Sequence, residues 1–415
     1  MRPALSVSVR AARRLAIVRQ GLAGPAPAPD REGILDLVGR LGYLQLDPTS
    51  AVARSHLLVL WSRLGPFRRS DVEHLLYQER ALFEYWCHAA SIVPASDYPL
   101  HRLLMRTYPG TGTASRRWVG AWMEENHALR AHILAELAAR GPLRAQDLED
   151  RSARPWRSSG WTDGRNVPRM LEMMWMKGEV LVSRRSANAR WWDLSERCLA
   201  PDTPREELSE REVVELAAQR SLRSLGVATP RDINSGFTGG RYPGLAETLD
   251  RLLAAGTVLP VGIRDGGRAL AGRWLVHADD ADTLQELDAG GGWHPRTTLL
   301  SPFDNLIAIA DRARAERLFG FRFRLEIYLP KPNRRYGYFV MPVLHGDRLI
   351  GRIDPVFDRA RGILAVKAVH PEPEAPMTHA TGRAIGAAVR RLGRFLGARE
   401  IEYGEVPAAW APAID

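Results

Sequence analysis

An amide and a carboxylate separated by one residue, Gln45 and Asp47, are the side chains in this sequence best suited to chemistry. Pro48 disfavours helical geometry at Asp47, and in an extended chain alternate side chains share a face. Gln45 and Asp47 should therefore point to one side, with Leu44 and Leu46 towards the core. A carboxylate can stabilise a cationic transition state or take a proton from water, and an amide can orient that water. The alternative is a strand end at which Asp47 caps the next turn.

The elements before this motif can be predicted from the pattern of apolar residues. An amphipathic helix from Ile34 to Leu41 leads into it, with Asp30 as the N-cap and a stiff proline-rich connector at residues 24–29. Further upstream, apolar residues recur at helical spacing and predict a first helix. These residues are Leu5, Val9, Ala12 and Ala16.

Two later segments repeat one plan, in which helices are followed by a glycine and a β-hairpin. The first has helices at 122–140 and 167–177, then Gly178 and strands at 180–183 and 190–194. The second has helices at 211–222 and 245–255, then Gly256 and strands at 258–261 and 272–276. The glycines suit left-handed C-caps, and Asp265-Gly266 suits a tight hairpin turn. Two such echoes in tandem predict two winged-helix units, which bind DNA through the third helix and the wing or serve as protein-interaction modules.

The pattern of apolar residues changes after Gly290-Gly291-Gly292. Alternating apolar residues predict short strands at 321–329, 336–344, 348–354 and 363–369, which would form a compact antiparallel sheet. A final amphipathic helix is marked by Ile385, Val389, Leu392 and Leu396. The fold class that we predict is therefore α+β.

The charge of the chain points to a polyanionic partner. The 415 residues include 58 basic and 48 acidic ones, a net charge of +10, and only three of the basic residues are lysines. A GC-rich genome alone could favour arginine, but arginine also binds phosphates and guanine edges in a forked geometry. Nucleic acid is the first candidate partner. The candidate contacts are Arg54, His56, Tyr85, His88, Arg184, Arg185 and Arg190.

A structural role remains the alternative for several of these candidate contacts. Arg54 and His56 follow the motif closely, and His88 follows a strand-like run that contains Tyr85. A hydrogen-bonded structural histidine is the alternative for His88. The three arginines at 184, 185 and 190 surround the first predicted wing, where a solvated surface is the alternative for any one of them.

Several other classes of protein are excluded by what the sequence lacks. Two cysteines, Cys87 and Cys198, cannot make a disulfide framework or a cysteine-rich zinc site. There is no P-loop, no His-Glu-x-x-His pattern and no apolar run of the ~18–20 residues that span a bilayer. We therefore expect no metal, no cofactor and no membrane association. The N-terminus lacks the apolar core of a secretory signal, so we expect a cytoplasmic, bacterial, nucleoid-associated protein.

The sequence resembles the AlkZ and AlkX (YcaQ-like) winged-helix DNA glycosylases, whose first winged-helix unit carries a Gln-Φ-Gln or Gln-Φ-Asp motif. Gln45-Leu46-Asp47 matches the Gln-Φ-Asp, AlkX-like branch. The resemblance runs in order over almost the whole chain. Its other segments are Phe83-Glu84-Tyr85-Trp86-Cys87-His88-Ala89-Ala90, Ser301-Pro302-Phe303-Asp304-Asn305-Leu306, Tyr336-Gly337-Tyr338 and Gly351-Arg352-Ile353-Asp354.

This resemblance implies three tandem winged-helix units that form a concave DNA-binding channel, followed by a C-terminal β-rich part. The corresponding boundaries are 1–115, 116–204, 205–285 and 286–415. It also implies a monofunctional DNA glycosylase that acts on N7-alkylated purines in double-stranded DNA, including interstrand crosslinks through guanine N7. Gln45 and Asp47 would be the catalytic residues.

Two rival interpretations remain open at the level of the sequence. A non-catalytic winged-helix regulator would usually need a dimer and an effector pocket, whereas we expect a monomer. A protein-interaction scaffold would not explain the charge of +10.

Overall fold

The structure, a computed structural model, describes residues 5–158, 160, 162–186, 189–238, 242–307 and 313–414. The chain forms two compact units. The first contains the chain up to Asp71, Cys87–Ala89 and the chain from Val214 onward, and the second contains Val72–Trp86 and Ala90–Val213.

The described residues contain both helices and strands. The helices are α1 (Val9–Arg19), α2 (Arg31–Leu41), α3 (Ser55–Leu64), α4 (Arg69–Tyr77), α5 (Tyr98–Thr107), α6 (Ala114–Glu125), α7 (His127–Arg140), α8 (Asn166–Met176), α9 (Ser195–Cys198), α10 (Glu210–Leu225), α11 (Pro230–Gly236), α12 (Leu245–Ala254), α13 (Ala281–Asp288), α14 (Ala313–Phe319), α15 (His379–Leu396) and α16 (Ala411–Ile414). The strands are β1 (Leu5–Ser8), β2 (Leu44–Gln45), β3 (Leu82–Trp86), β4 (Ala90–Pro94), β5 (Val180–Ser186), β6 (Ala189–Leu194), β7 (Val227–Ala228), β8 (Val258–Asp265), β9 (Arg268–Ala269), β10 (Leu275–His277), β11 (Thr297–Leu299), β12 (Met341–His345), β13 (Arg348–Asp358), β14 (Ile363–Pro371) and β15 (Glu400–Glu405). The predicted α+β class is confirmed.

The N-terminal segment is only partly the helix that its spacing predicted. Leu5–Ser8 is a strand that pairs in parallel with β8, and the helix begins at Val9 with the Ser8 hydroxyl as its cap. The prediction was wrong for Leu5 because the apolar spacing could not reveal a partner strand more than 250 residues away. Asp30 is the N-cap of α2, as predicted, and accepts a hydrogen bond from the Gly33 N–H.

The second unit contains the first of the two predicted echoes. Helices α7 and α8 are followed by Gly178, whose φ of 69° is left-handed, and by the antiparallel hairpin β5–β6. The helix predicted at 122–140 is divided between α6 and α7 by Asn126, a buried residue whose amide bonds the carbonyls of Trp122 and Arg154. Between the two predicted strands of this hairpin, Ala187 and Asn188 lie outside the described residues.

The first unit contains the second echo. Helices α10, α11 and α12 precede Gly256, and strand β8 then pairs with both β9 and β10. The order of helices and hairpin is that predicted, although the second hairpin strand is split into two short pieces at 268–269 and 275–277.

The C-terminal sheet has the order β11-β12-β13-β14-β15, and its last pair is parallel rather than antiparallel. The strand predicted at 321–329 does not form, and β12 starts later than predicted, at Met341. Helix α15, predicted from its apolar spacing, packs on this sheet in one hydrophobic cluster with Leu58 and Trp61 of α3. Because α3 begins next to the Gln-Leu-Asp motif, this cluster anchors the motif to the sheet.

Among the described residues, no helix combines the length and the apolar character that crossing a membrane requires.

Candidate active site

The turn between α2 and the motif depends on one glycine. Gly42 has a φ of 83°, and its N–H bonds the carbonyl of Val38 as a left-handed C-cap. A Cβ at this position would also press on the ring of Phe237 at 3.3 Å. The chain then continues through the buried residues Tyr43 and Leu44. The helix end therefore fixes the direction in which the motif leaves α2.

The motif backbone is clamped by Ser55, a fully buried residue at the start of α3. Its hydroxyl donates to the carbonyl of Gln45 at 2.6 Å and accepts from the N–H of Asp47 at 3.1 Å. Strand β2 ends at Gln45, so Asp47 lies just beyond the strand rather than within it. Leu44 is buried, whereas Leu46 is only half-buried, so the expected alternation holds incompletely. The hydroxyl of Ser55 replaces the ladder partners that a longer strand would have had.

Asp47 uses only part of its hydrogen-bonding capacity within the fold. Its Oδ1 accepts from the N–H of Thr49 at 2.8 Å, the turn-capping contact that formed the structural alternative. Asp47 is nevertheless only half-buried. A carboxylate with two oxygens can cap this turn with one and present the other to a ligand.

Gln45 is oriented by a histidine that lies 43 residues further along the chain. His88 Nε2 is 3.1 Å from Gln45 Oε1, and the imidazole ring packs edge-on against Tyr43 at 4.8 Å between centroids. Because an amide oxygen can only accept, Nε2 carries the proton and Nδ1 is an unprotonated nitrogen. Burial lowers the pKa of His88 to about 4, so the ring is neutral near pH 7. The histidine therefore fixes which end of the Gln45 amide faces away from it.

The low pKa of His88 predicts a loss of stability in acid. From pH 6.5 down to about 4, the unfolded chain takes up a proton at His88 that the folded chain does not. The free energy of unfolding should therefore fall as the pH is lowered through this window, by about 3 kcal/mol in total. In His88→Asn that part of the pH dependence should be absent. Denaturant titrations at several pH values would test this, and equal pH dependence in both proteins would contradict it.

The segment Ser301–Leu306 supports the backbone that leads into the motif. Asn305 donates from Nδ2 to the carbonyl of Tyr43 at 3.0 Å, two residues before Gln45. Its neighbour Asp304 accepts from Arg63 Nη2 at 2.9 Å, and both members of this ion pair are fully buried. The structure shows a buried turn that bonds the backbone of the motif.

The chain after the motif is bound by the end of β13. Arg359 donates to the carbonyls of Ser50 and Val52 at 2.8 and 2.9 Å, and Phe357 N–H bonds the carbonyl of Ala51. The chain from Tyr43 to Val52 is thus held by distant residues, namely His88, Asn305, Phe357 and Arg359. Sequence reasoning missed the long-range supports Phe357 and Arg359, because no local pattern signals a contact across the fold, and it also missed the nearby Ser55.

The predicted DNA contacts in the first unit differ in exposure. Arg54 is half-buried at the N-cap of α3, and His88 is half-buried against Gln45. His56 is only 8% exposed in the first turn of α3. Little of its ring could meet a phosphate, so we retain Arg54 and His88 as predicted contacts but not His56.

The predicted contacts in the second unit also separate into two kinds. Tyr85 is fully buried and donates its hydroxyl to the carbonyl of Met176. Arg185 forms a two-pronged ion pair with the buried Glu84, at 2.7 and 2.6 Å. Tyr85 therefore serves the interior, which corrects its prediction as a DNA contact, whereas Arg185 is half-buried and its guanidinium is engaged by Glu84. Arg184 is exposed over the ring of Trp191, and Arg190 lies against Trp175 and Trp192, so these two remain predicted contacts.

In the part of the chain that the structure describes, no three histidine, cysteine, aspartate or glutamate side chains are grouped so that they could hold a metal ion.

The chain belongs to the AlkZ-like DNA glycosylase family, whose model matches residues 38–395. Its fold is similar to that of the DNA glycosylase AlkZ of Streptomyces sahachiroi, with a TM-score of 0.67 and 16% sequence identity over 97% of this chain and 100% of the other. The family resemblance predicted from the motifs is confirmed, and the assignment to the Gln-Φ-Asp branch stays a prediction.

Proposed function

We propose that the chain hydrolyses the N-glycosidic bond of N7-alkylated purines in double-stranded DNA and unhooks interstrand crosslinks through guanine N7. The observation that carries this proposal is the half-buried Asp47 next to an amide that His88 holds in place. Membership of a DNA glycosylase family supports the reaction class. The lesion is the one that the family resemblance implies, and the side chains of the site suit its chemistry.

The candidate active site contains one carboxylate, Asp47, that can stabilise positive charge, but no evident strong acid. N7-alkylation makes guanine a cationic leaving group, so its departure needs little protonation. The sugar that remains develops positive charge, which Asp47 stabilises. At ~4 Å and an effective dielectric constant of ~20, one carboxylate contributes about 4 kcal/mol, or roughly three orders of magnitude in rate.

Gln45 has a supporting role in this reaction. With Oε1 turned towards His88, the amide orients the attacking water near the anomeric carbon, and Asp47 accepts the proton of that water. The three lysines, Lys177, Lys331 and Lys367, are distant from the motif in the sequence. This argues against a lyase that forms a Schiff base and for simple hydrolysis.

The proposed crosslink activity can be tested without any added cofactor. A duplex that carries a nitrogen-mustard crosslink should be unhooked by the full chain in EDTA, because hydrolysis by Asp47 and Gln45 requires no metal. Denaturing gels measure the conversion of crosslinked to single strands. If EDTA abolished unhooking and added zinc or magnesium restored it, the metal-free mechanism would be wrong.

Salt dependence separates the glycosylase from the rival regulator. Exposed arginines such as Arg184, together with the net charge of +10, should bind duplex DNA mainly through phosphates. Affinity should then fall steeply with salt, by roughly 0.9 in log–log slope for each phosphate neutralised, and should depend little on sequence. Anisotropy titrations on several unrelated duplexes measure both. A single-site, salt-insensitive footprint would favour the regulator.

A further inference from the structure

Two exposed tyrosines lie in one loop of the C-terminal part, residues 326–338, which we call the aromatic–basic loop. Tyr328 is 73% exposed and Tyr338 is 39% exposed, and they are two of only four large hydrophobic side chains exposed among the described residues. The loop also carries Lys331, Arg334 and Arg335, whereas its one acidic residue, Glu326, is buried. The surface of this loop is therefore aromatic and cationic.

The loop is held in one conformation by buried carboxylates. Glu326 accepts from the N–H groups of Tyr336 and Gly337 at 2.8 and 3.1 Å. Asp354 accepts from the N–H of Tyr338 at 3.2 Å. Gly337 has a φ of 137°, and a Cβ there would collide with the carboxyl of Asp354. These contacts account for the Tyr-Gly-Tyr and Gly-Arg-Ile-Asp segments, which the proposed catalytic pair does not use.

Arginine guanidinium groups of the loop and of the neighbouring strand pack against aromatic rings. Buried Arg352 lies over Tyr336 and Phe321, at 4.2 and 4.4 Å from the ring centroids, and pairs with Glu372. Arg334 lies 4.7 Å from the centroid of Tyr338 and donates to the carbonyl of Leu329. A loop fixed by internal bonds presents its exposed rings with little entropy left to lose on binding.

The start of the aromatic–basic loop packs on the hydrophobic core that also contains residues just after the motif. Leu325 and Ile327 pack on the same hydrophobic cluster as Val52 and Ala53, which follow Asp47 within six residues. The loop and the candidate active site therefore rest on one core.

We propose that the aromatic–basic loop is a second nucleic-acid contact, in which Tyr328 and Tyr338 stack on unpaired bases while Lys331 and Arg335 contact phosphates. Flat rings flanked by cations suit bases whose faces are open, and a fully stacked duplex offers none. The partner is DNA in which a lesion or crosslink has disturbed pairing. This inference rests on the proposed function, because it takes DNA as the partner.

The test compares two DNAs of one sequence, a fully paired duplex and the same duplex with a short central bubble. The full chain should bind the bubble more tightly. Tyr328→Ala and Tyr338→Ala should each weaken bubble binding by about tenfold, near the lower end of what base–aromatic stacking contributes, with little change on the paired duplex. Phenylalanine at either position should retain the affinity, because it keeps the ring. Met377→Ala, which removes another exposed apolar side chain, 45% exposed and outside the loop, is the matched control and should change nothing.

Two outcomes would overturn the proposal. Alanine variants that bind the bubble like the unaltered chain would show that the tyrosines make no contact. Equal losses on both DNAs would show that they do not recognise unpaired bases. If the unaltered chain releases alkylated bases in either case, the proposed function stands and the loop proposal alone fails; if it binds neither DNA, the proposed function itself is wrong.

Discussion

Asp47→Asn should slow the release of N7-methylguanine from DNA by about 10²–10³-fold in single-turnover assays and leave DNA affinity nearly unchanged. Asparagine keeps the size of the side chain and, through its amide oxygen, the hydrogen bond to the Thr49 N–H. It removes the negative charge that the sugar cation requires. The change therefore separates the charge of Asp47 from its role in capping the turn.

Gln45→Ala serves as the graded comparison for this result. It should cost less than Asp47→Asn, because an amide positions water but does not neutralise charge. Unfolding of each variant must be measured in parallel, since the motif is bonded to Ser55 and His88. If Asp47→Asn kept the unaltered rate, or if both variants lost rate only in proportion to stability, Asp47 would be a structural residue.

Asp304→Asn should lower the free energy of unfolding by about 3–5 kcal/mol, because it leaves a buried guanidinium without its counter-charge. Arg63 and Asp304 are both 0% exposed, so water cannot replace the missing partner. The guanidinium also bonds the carbonyls of Gln20 and Val59, and these neutral acceptors compensate little of the charge. Denaturant unfolding monitored by tryptophan fluorescence measures the loss.

The double variant Arg63→Met with Asp304→Leu is the control for this second prediction. Replacing both charges with apolar groups should cost less than removing either alone. Base release should still decline in the double variant, because the adjacent Asn305 loses the support that holds it against the Tyr43 carbonyl. Additive losses of stability in the double variant would show that the pair makes no special contribution.

Local rules predicted the elements that surround the motif. The N-cap at Asp30, the left-handed glycines after α8 and α12 and the amphipathic face of α15 each follow from a few neighbouring residues. The Gln45–Asp47 pair was found in the same way, from the types and spacing of three residues. The extended segment that we predicted there was too long, because β2 ends at Gln45 and the chain turns at Asp47.

The clearest error was the strand predicted at 321–329 from alternating apolar residues alone. Phe321 and Phe323 are buried and the arginines between and after them are exposed, so the predicted two-residue period is present. No strand forms there, since a ladder also needs a partner strand, and sequence alternation reports only one buried face. The same limit hid the parallel partner of β1 and the contacts of His88 and Asn305 with the motif, all of which join residues distant in the chain.

Hydrolysis by the chain can be measured by mass spectrometry of free N7-methylguanine, together with abasic sites, after the full chain is incubated with N7-methylated duplex DNA in EDTA. We expect equal amounts of free base and abasic site, formed far faster than in the absence of protein, with no strand cleavage by the chain itself. Release no faster than the spontaneous rate, from a chain that binds the same DNA, would contradict it.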